Sequence, residues 1–187
     1  MFQVRIHGRG GQGVVTAAEL LAQAGFDEGK HAQAFPSFGS ERTGAPVVSF
    51  CRLSENEIRV REPIMEPDAI IIQDATLLKQ IDVFAGLKPN GYVVINAKVS
   101  KEELDIPEEV RSSSHLVIVP ATELAMEHVG RPVPNAVLLG AFAALTEFIS
   151  LKAVTDAIHH KFKAKIADSN SAAAKAAYEM VKAVSHA

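Results

Sequence analysis

The residues whose types and spacing could do chemistry are concentrated in one hexapeptide, Gly8-Arg9-Gly10-Gly11-Gln12-Gly13. It has Gly-x-Gly-x-x-Gly spacing, follows the apolar run Phe2 to His7 and opens a helical pattern. That is the context a dinucleotide fingerprint requires. The chemistry would be anion binding. A helix start leaves backbone N–H groups unpaired and carries a partial positive charge. Residues without a Cβ let a phosphate approach them closely. Two readings stay open at this level: a phosphate cradle, or glycines that only let strand and helix pack closely.

A nicotinamide or flavin site normally adds an acid at the end of the next strand, to hold the ribose. Asp27 and Glu28 have about the right spacing but precede that strand, and "HAQAFPSF" after them holds no acid. Arg42 lies one strand further on, in "FGSERTGAP". It could meet a phosphate in a two-pronged fork, or pair with Glu41, or contact another subunit. Gln12 could donate to a ligand or cap the helix.

No constellation for catalysis accompanies the loop. His7, His31, His115, His128, His159, His160 and His186 form no metal spacing, and each is expected at a surface or capping position. There is no serine elbow, no paired-carboxylate signature and no P-loop lysine. The single cysteine, Cys51, excludes an internal disulfide or a four-thiolate iron–sulfur site within this chain. Its place in "PVVSFCRL" reads as an inert strand position. A net charge of −3 with scattered Lys and Arg argues against nucleic-acid binding. Lys161, Lys163 and Lys165 read as a solvated helix end. The longest apolar run, "AVLLGAFAAL", is too short for a membrane span, and no signal peptide opens the chain. A cytoplasmic protein without membrane contact is expected.

The elements that must position the loop follow from periodicity. Val14, Ala17, Ala18, Leu21 and Ala24 mark one helix face, ending near Gly25 or Gly29. "FPSFGSERTGAP" reads as a loop, "PVVSFCRL" as a strand and "NEIRVRE" as its hairpin partner, because Ile58 and Val60 alternate with Arg59 and Arg61. "DAIIIQD", "GYVVINA" and "HLVIVPA" are continuous apolar runs, as in strands buried on both faces. "ATLLKQIDVFAGL" reads as a helix between the first two, and "KVSKEELDIPEEVRSSS" as a polar surface connection. The last third is helical. "NAVLLGAFAALTEF" is apolar all round, "LKAVTDAIHHKF" is amphipathic, and "SAAAKAAYEMVKAV" carries a stripe of Ala173, Ala176, Ala177, Met180 and Val184. That stripe packs on the chain's own sheet or meets another subunit. The sequence thus predicts one α/β domain over residues 1–187. Its fold is Rossmann-like: a mostly parallel sheet with helices on both faces and a helical C-terminal third.

Read together, "GRGGQGVVTAAELLAQA", "FPSFGSERTGAPV", "PDAIIIQD", "GYVVINA", "VPATELA" and "NAVLLGA" resemble the gamma subunit of the 2-oxoacid:ferredoxin oxidoreductases, the pyruvate synthase group. The Ser-Phe-Gly-x-Glu-Arg-x-Gly-Ala-Pro stretch is most similar to the pyruvate and branched-chain branches. "NSAAAKAAYE" resembles the family's last helix, with Ala177 where a Gly usually precedes the Tyr. The resemblance implies a complex that oxidatively decarboxylates a 2-oxoacid with coenzyme A to acyl-CoA, carbon dioxide and reduced ferredoxin. It implies thiamine diphosphate between alpha and beta subunits, and iron–sulfur clusters in delta and beta. This chain would be a non-catalytic subunit that helps bind coenzyme A through Gly8, Arg9, Gly10, Gly11, Gln12 and Gly13, with Arg42 as a secondary contact. The alternatives are a stand-alone NAD(P)- or flavin-binding oxidoreductase, or a purely structural subunit, with self-association possible in isolation.

Overall fold

Strand β1 (Phe2–Arg9) sits near the middle of a six-stranded sheet because it can pair on both edges. The computed structural model describes residues 1–37 and 42–185. Along the chain follow helix α1 (Val14–Asp27), β2 (His31–Pro36), β3 (Pro46–Ser54), β4 (Ala69–Ile72), β5 (Tyr92–Asn96), α2 (Glu108–Arg111) and β6 (Leu116–Val119). The last third holds α3 (Ala121–His128), α4 (Asn135–Thr146), α5 (Leu151–Lys161) and α6 (Ala164–Ser185). The strand order is β2-β3-β1-β4-β5-β6. From β1 outward through β4, β5 and β6 the pairing is parallel, and β3 alone runs against its neighbours. The chain is therefore the expected mostly parallel α/β sheet with a helical last third.

Helices lie on both faces, but unequally. On one face α1, α3, α4, α5 and α6 share a core with Val4, Ile6, Ala69, Ile71 and Val94. On the other, Ile70, Ile72, Val93 and Ile95 meet only short pieces: α2, and a 3-10 turn at Ala75–Lys79. The expected helix in "ATLLKQIDVFAGL" is thus a single five-residue 3-10 turn. Asp74 caps it by accepting from the Thr76 N–H, and the chain then winds through turns to Gly91. The connection expected to be merely polar buries Ile106 and Val110 in this second core.

Helix α1 buries the five residues that its spacing indicated. It stops where Gly29 takes a left-handed φ of 85° and the Lys30 N–H turns back to the Gly25 carbonyl. Helix α4 is buried from Asn135 to Ala144, which its uniform apolarity required. Its Gly140 lies against the Ala174 carbonyl of α6, where an added Cβ would overlap the oxygen. The alanines of α6 thus let two backbones meet, and Ala173, Ala174, Ala177 and Val181 are the buried stripe. Val184, expected on that stripe, is 70% exposed, and Met180 is also exposed.

Residues Asn56–Glu62 form no strand. They cross the second face of β2, β3 and β1 as an extended strap. Gln33 donates to the Val60 carbonyl (2.8 Å), Arg52 to that of Glu62 (2.6 Å) and Arg5 to that of Ile64 (3.4 Å). One side chain from each strand takes every second carbonyl. The strap thus shares the two-residue period of a strand without pairing as one, which is why its alternation is misleading.

The candidate site at the carboxyl edge of the sheet

Every hydrogen bond in the Gly8–Gly13 loop can be traced to an element that delivers its partner. Gly10 pairs with Thr43 in an isolated bridge, donates to the Ala45 carbonyl (2.9 Å) and accepts from Gly44 N–H (3.1 Å). A Cβ on Gly10 would lie 2.4 Å from the Arg42 carbonyl oxygen. One on Gly8 would strike the Val14 side chain. Gly13, the α1 N-cap, has a φ of 70°, and a Cβ on it would lie 2.5 Å from Asn135 Nδ2. These three glycines serve close contact within the chain. Gly11 differs. Its φ of 91° is left-handed, and among the described residues nothing comes nearer to its Cβ position than Thr43 Cγ2, at 4.0 Å.

The two side chains inside the loop are engaged by the protein. Gln12 accepts from the Arg9 N–H through Oε1 (2.8 Å) and donates from Nε2 to Asp74 Oδ2 (2.9 Å). It neither caps α1 nor points outward. Arg9 lies 3.2 Å from the Asp74 carboxylate and donates to Thr76 Oγ1, Gln80 Oε1 and the Gly44 carbonyl. Arg42 is exposed beside Gly10. Its possible partner Glu41 lies outside the described residues, as do Phe38, Gly39, Ser40 and His186.

Asp74 organises this corner, and it was not among the residues singled out from sequence. Burial alone would raise its carboxyl pKa. Hydrogen bonds from the Thr76 hydroxyl (2.5 Å), Gln12 and the Thr76 N–H, with Arg9 nearby, hold it below the ordinary carboxylate range. Both of its oxygens already have two partners, so it has little left to offer ribose hydroxyls. The signal for it was topological: in a parallel sheet, residues just past the strand ends share one edge. Gln73 and Asp74 follow β4, Asn96 ends β5, and Thr122 follows β6. Asn96 donates to the Gln73 carbonyl and to Thr122 Oγ1, tying three strand ends together.

An open cleft of about 290 Å³ runs along this edge, bordered by Gln12, Gln73, Asp74, Asn96, Thr122 and Pro134. The N-termini of α1, α3 and α4 converge there, and α1 and α4 touch through Asn135 and the Gly13 carbonyl (3.3 Å). Three positive helix ends favour an anion at their meeting point. A larger hollow of about 630 Å³ lies at the opposite edge, where β5 and β6 begin, around His115 and Pro107. Ligands of parallel α/β sheets bind beyond the carboxyl ends of the strands, which makes the smaller cleft the candidate site.

Cys51 and His7 lie in the core of the sheet. Cys51 is fully buried, and burial pushes its thiol far up, as expected of an inert position. His7 departs from the surface role expected of it. It is 5% exposed on β1, and burial together with Arg5 lowers its pKa to about 3. Its Nε2 accepts from Arg5 Nε (3.1 Å), so the ring is neutral. Among the described residues no group of His, Cys, Asp and Glu could hold a metal, and no helix is long and apolar enough to cross a membrane.

A parallel α/β sheet with a glycine loop at its carboxyl edge defines a Rossmann-like binding domain, a class that spans many activities. Comparison narrows it. Residues 3–180 match the family described as pyruvate ferredoxin/flavodoxin oxidoreductase. A "Pyruvate/ketoisovalerate oxidoreductases common subunit gamma" from Pyrococcus abyssi is 45% identical over 96% of each chain. The crystal structure of pyruvate oxidoreductase subunit PORC from Thermotoga maritima superposes with a TM-score of 0.79 at 32% identity, over 95% of each chain. The 2-oxoglutarate:ferredoxin oxidoreductase of Magnetococcus marinus, with 2-oxoglutarate, coenzyme A and succinyl-CoA bound, shares the fold. Its TM-score is 0.78 at 21% identity, over 97% of this chain and 31% of that one. The chain belongs to the pyruvate ferredoxin/flavodoxin oxidoreductase family and is of its gamma-subunit type.

Proposed function

We propose that this chain is the coenzyme A-docking, non-catalytic subunit of a cytoplasmic pyruvate-type complex. Alpha, beta and delta partners would carry thiamine diphosphate and the iron–sulfur clusters and pass electrons to ferredoxin. The observation that carries the docking role is the convergence of three helix N-termini on the cleft bordered by Gln12, with Gly11, whose Cβ position is clear among the described residues, next to Gln12 in the loop. Coenzyme A brings a diphosphate and a 3′-phosphate, which suit helix N-termini and an exposed guanidinium such as Arg42. The residues present fit such a group: Gly11 leaves backbone accessible, and Arg9 offsets the negative Asp74. When bound, coenzyme A would supply the thiol that accepts the acyl group. This chain's part is to hold the nucleotide end and orient it.

Family membership supports the subunit role over a stand-alone NAD(P)- or flavin-dependent enzyme, and so does the saturation of Asp74. The test uses the reconstituted complex under anaerobic conditions, with reduction of a viologen dye as the readout. Arg42→Glu should raise the KM for coenzyme A about tenfold, of the order expected when a charge-assisted contact becomes repulsive. The KM for the 2-oxoacid should not move. An unchanged KM for coenzyme A in Arg42→Glu and in Gly11→Val alike would leave this subunit a purely structural role.

A further inference from the structure

One polar atom at the cleft is unexplained by the loop's own bonding. Gln73 is 1% exposed and directly follows β4. Its Nε2 donates to the Gln12 carbonyl (2.8 Å), its N–H to the His7 carbonyl and its own carbonyl accepts from Asn96. Its Oε1 is buried and accepts from nothing among the described residues. The donation by Nε2 fixes the amide orientation, so the orphan is an acceptor. A buried acceptor left without a donor costs free energy in a folded protein. Gln73 is also one of the residues that border the cleft where the helix ends meet.

We propose that Gln73 is a specificity-determining residue: its buried side-chain oxygen accepts a hydrogen bond from a neutral N–H of the docked cofactor. The inference rests on the coenzyme A reading above and adds to it. Helix ends attract any polyphosphate, whereas an acceptor selects for a donor beside that polyphosphate. An anion cannot satisfy Oε1, and the flanking Asn96 and Thr122 are already paired with each other. A site built to receive an N–H discriminates strongly against analogues that lack it, because its own buried group is then left unpaired. Coenzyme A offers this chemistry from two places, the adenine amino group and the pantetheine amides.

The experiment measures binding to the full complex by calorimetry, with three ligands. These are coenzyme A, an analogue whose adenine amino group is replaced by hydrogen, and an analogue whose pantetheine amides are replaced by esters. Wild type should bind one analogue about tenfold more weakly than coenzyme A, and which one it is identifies the donor. Gln73→Met should bind coenzyme A and that analogue alike, so that the difference lies in the pairing and not in general damage. Equal binding of all three by wild type would mean that Oε1 is satisfied by water and would overturn the proposal, whether or not the variant folds. So would a preference that persists in Gln73→Met. Failure of wild type to bind coenzyme A at all would instead sink the docking role itself.

Discussion

Gln12 and Asp74, 62 residues apart in sequence, meet at 2.9 Å and close the glycine loop onto the end of β4. The carboxylate cannot be exchanged for a neutral isostere without loss. It receives the Gln12 amide, the Thr76 hydroxyl and N–H, and lies beside Arg9. An amide at that position could accept through only one of its two heavy atoms.

Asp74→Asn should therefore lower stability by about 1 kcal/mol, the usual net worth of a hydrogen bond whose partners are exposed or only partly buried. Chemical denaturation at pH 7 measures it. Because the folded carboxyl titrates below its unfolded value, its contribution is complete above about pH 4 and is lost as pH falls through the folded pKa. The gap between wild type and variant should accordingly narrow below about pH 4. A gap that stays constant down to pH 2.5 would show that the charge of Asp74 is irrelevant to the loop.

His7 governs a different pH range. Its ring is neutral in the fold, with a pKa of about 3 against 6.5 for the free group. Between those values the unfolded chain binds a proton that the folded chain refuses, so stability falls as pH drops from about 6.5 toward 3. The slope is at most about 1.4 kcal/mol per pH unit. His7→Gln keeps an acceptor for Arg5 Nε and cannot titrate. Urea midpoints measured from pH 4 to 7 should show a flatter profile for the variant. Identical slopes would contradict the buried neutral assignment.

The glycines should rank by what their missing Cβ would meet. Gly10→Ala places a carbon against the Arg42 backbone oxygen, and Gly140→Ala places one inside the contact of α4 with Ala174. Neither backbone can yield cheaply, so each should cost about 3 kcal/mol or more, at or beyond the upper end for overpacking. Gly11→Ala meets, among the described residues, nothing closer than Thr43 Cγ2 at 4.0 Å and bears only the left-handed φ, a cost of roughly 1–2 kcal/mol. Thermal midpoints should order wild type above Gly11→Ala, with the other two lowest. A Gly10→Ala protein as stable as Gly11→Ala would mean that the Thr43 turn can move away freely.

Much of this arrangement was legible in the residues themselves. The β1-loop-α1 unit, the three parallel strands and the wholly buried α4 were visible because each is dictated by local periodicity and turn residues. What misled was segments whose pattern arises from contacts remote in sequence. Val60 and Arg61 alternate in type, yet both are exposed, because the strap is held through carbonyls that Gln33 and Arg52 bind and not by pairing as a strand. His7 is buried because β1 is central and Arg5 supplies a donor. The loop residues were found by motif. That the side chains of Arg9 and Gln12 turn inward depended on Asp74, whose proximity only the strand order reveals. For the same reason the seam of α6 was misplaced by one residue: the contact with Gly140, not the sequence of alanines, sets which side faces inward.

The strap itself offers the sharpest check on this account of the second face. Arg52 is only 2% exposed, and its guanidinium is satisfied by neutral acceptors: Gln3 Oε1 (2.8 Å), Gln33 Oε1 (3.0 Å) and the Glu62 carbonyl (2.6 Å). Burial draws its pKa down, with Glu62 acting in the opposite sense. Hydrogen bonds made by a charged group are each worth about 1.5–3 kcal/mol. Arg52→Met keeps the aliphatic bulk beside Phe35 and removes all three. Local opening of the strap should then become at least about tenfold more frequent, by the same magnitude. Trypsin provides the readout, since Arg59 and Arg61 are exposed on the strap and local opening frees the backbone around them for the protease. Cleavage there should accelerate about tenfold while amide exchange in α4, on the opposite face, stays slow. If the cleavage rate is unchanged, the strap is held by the burial of Ile64 and not by the side chains beneath it.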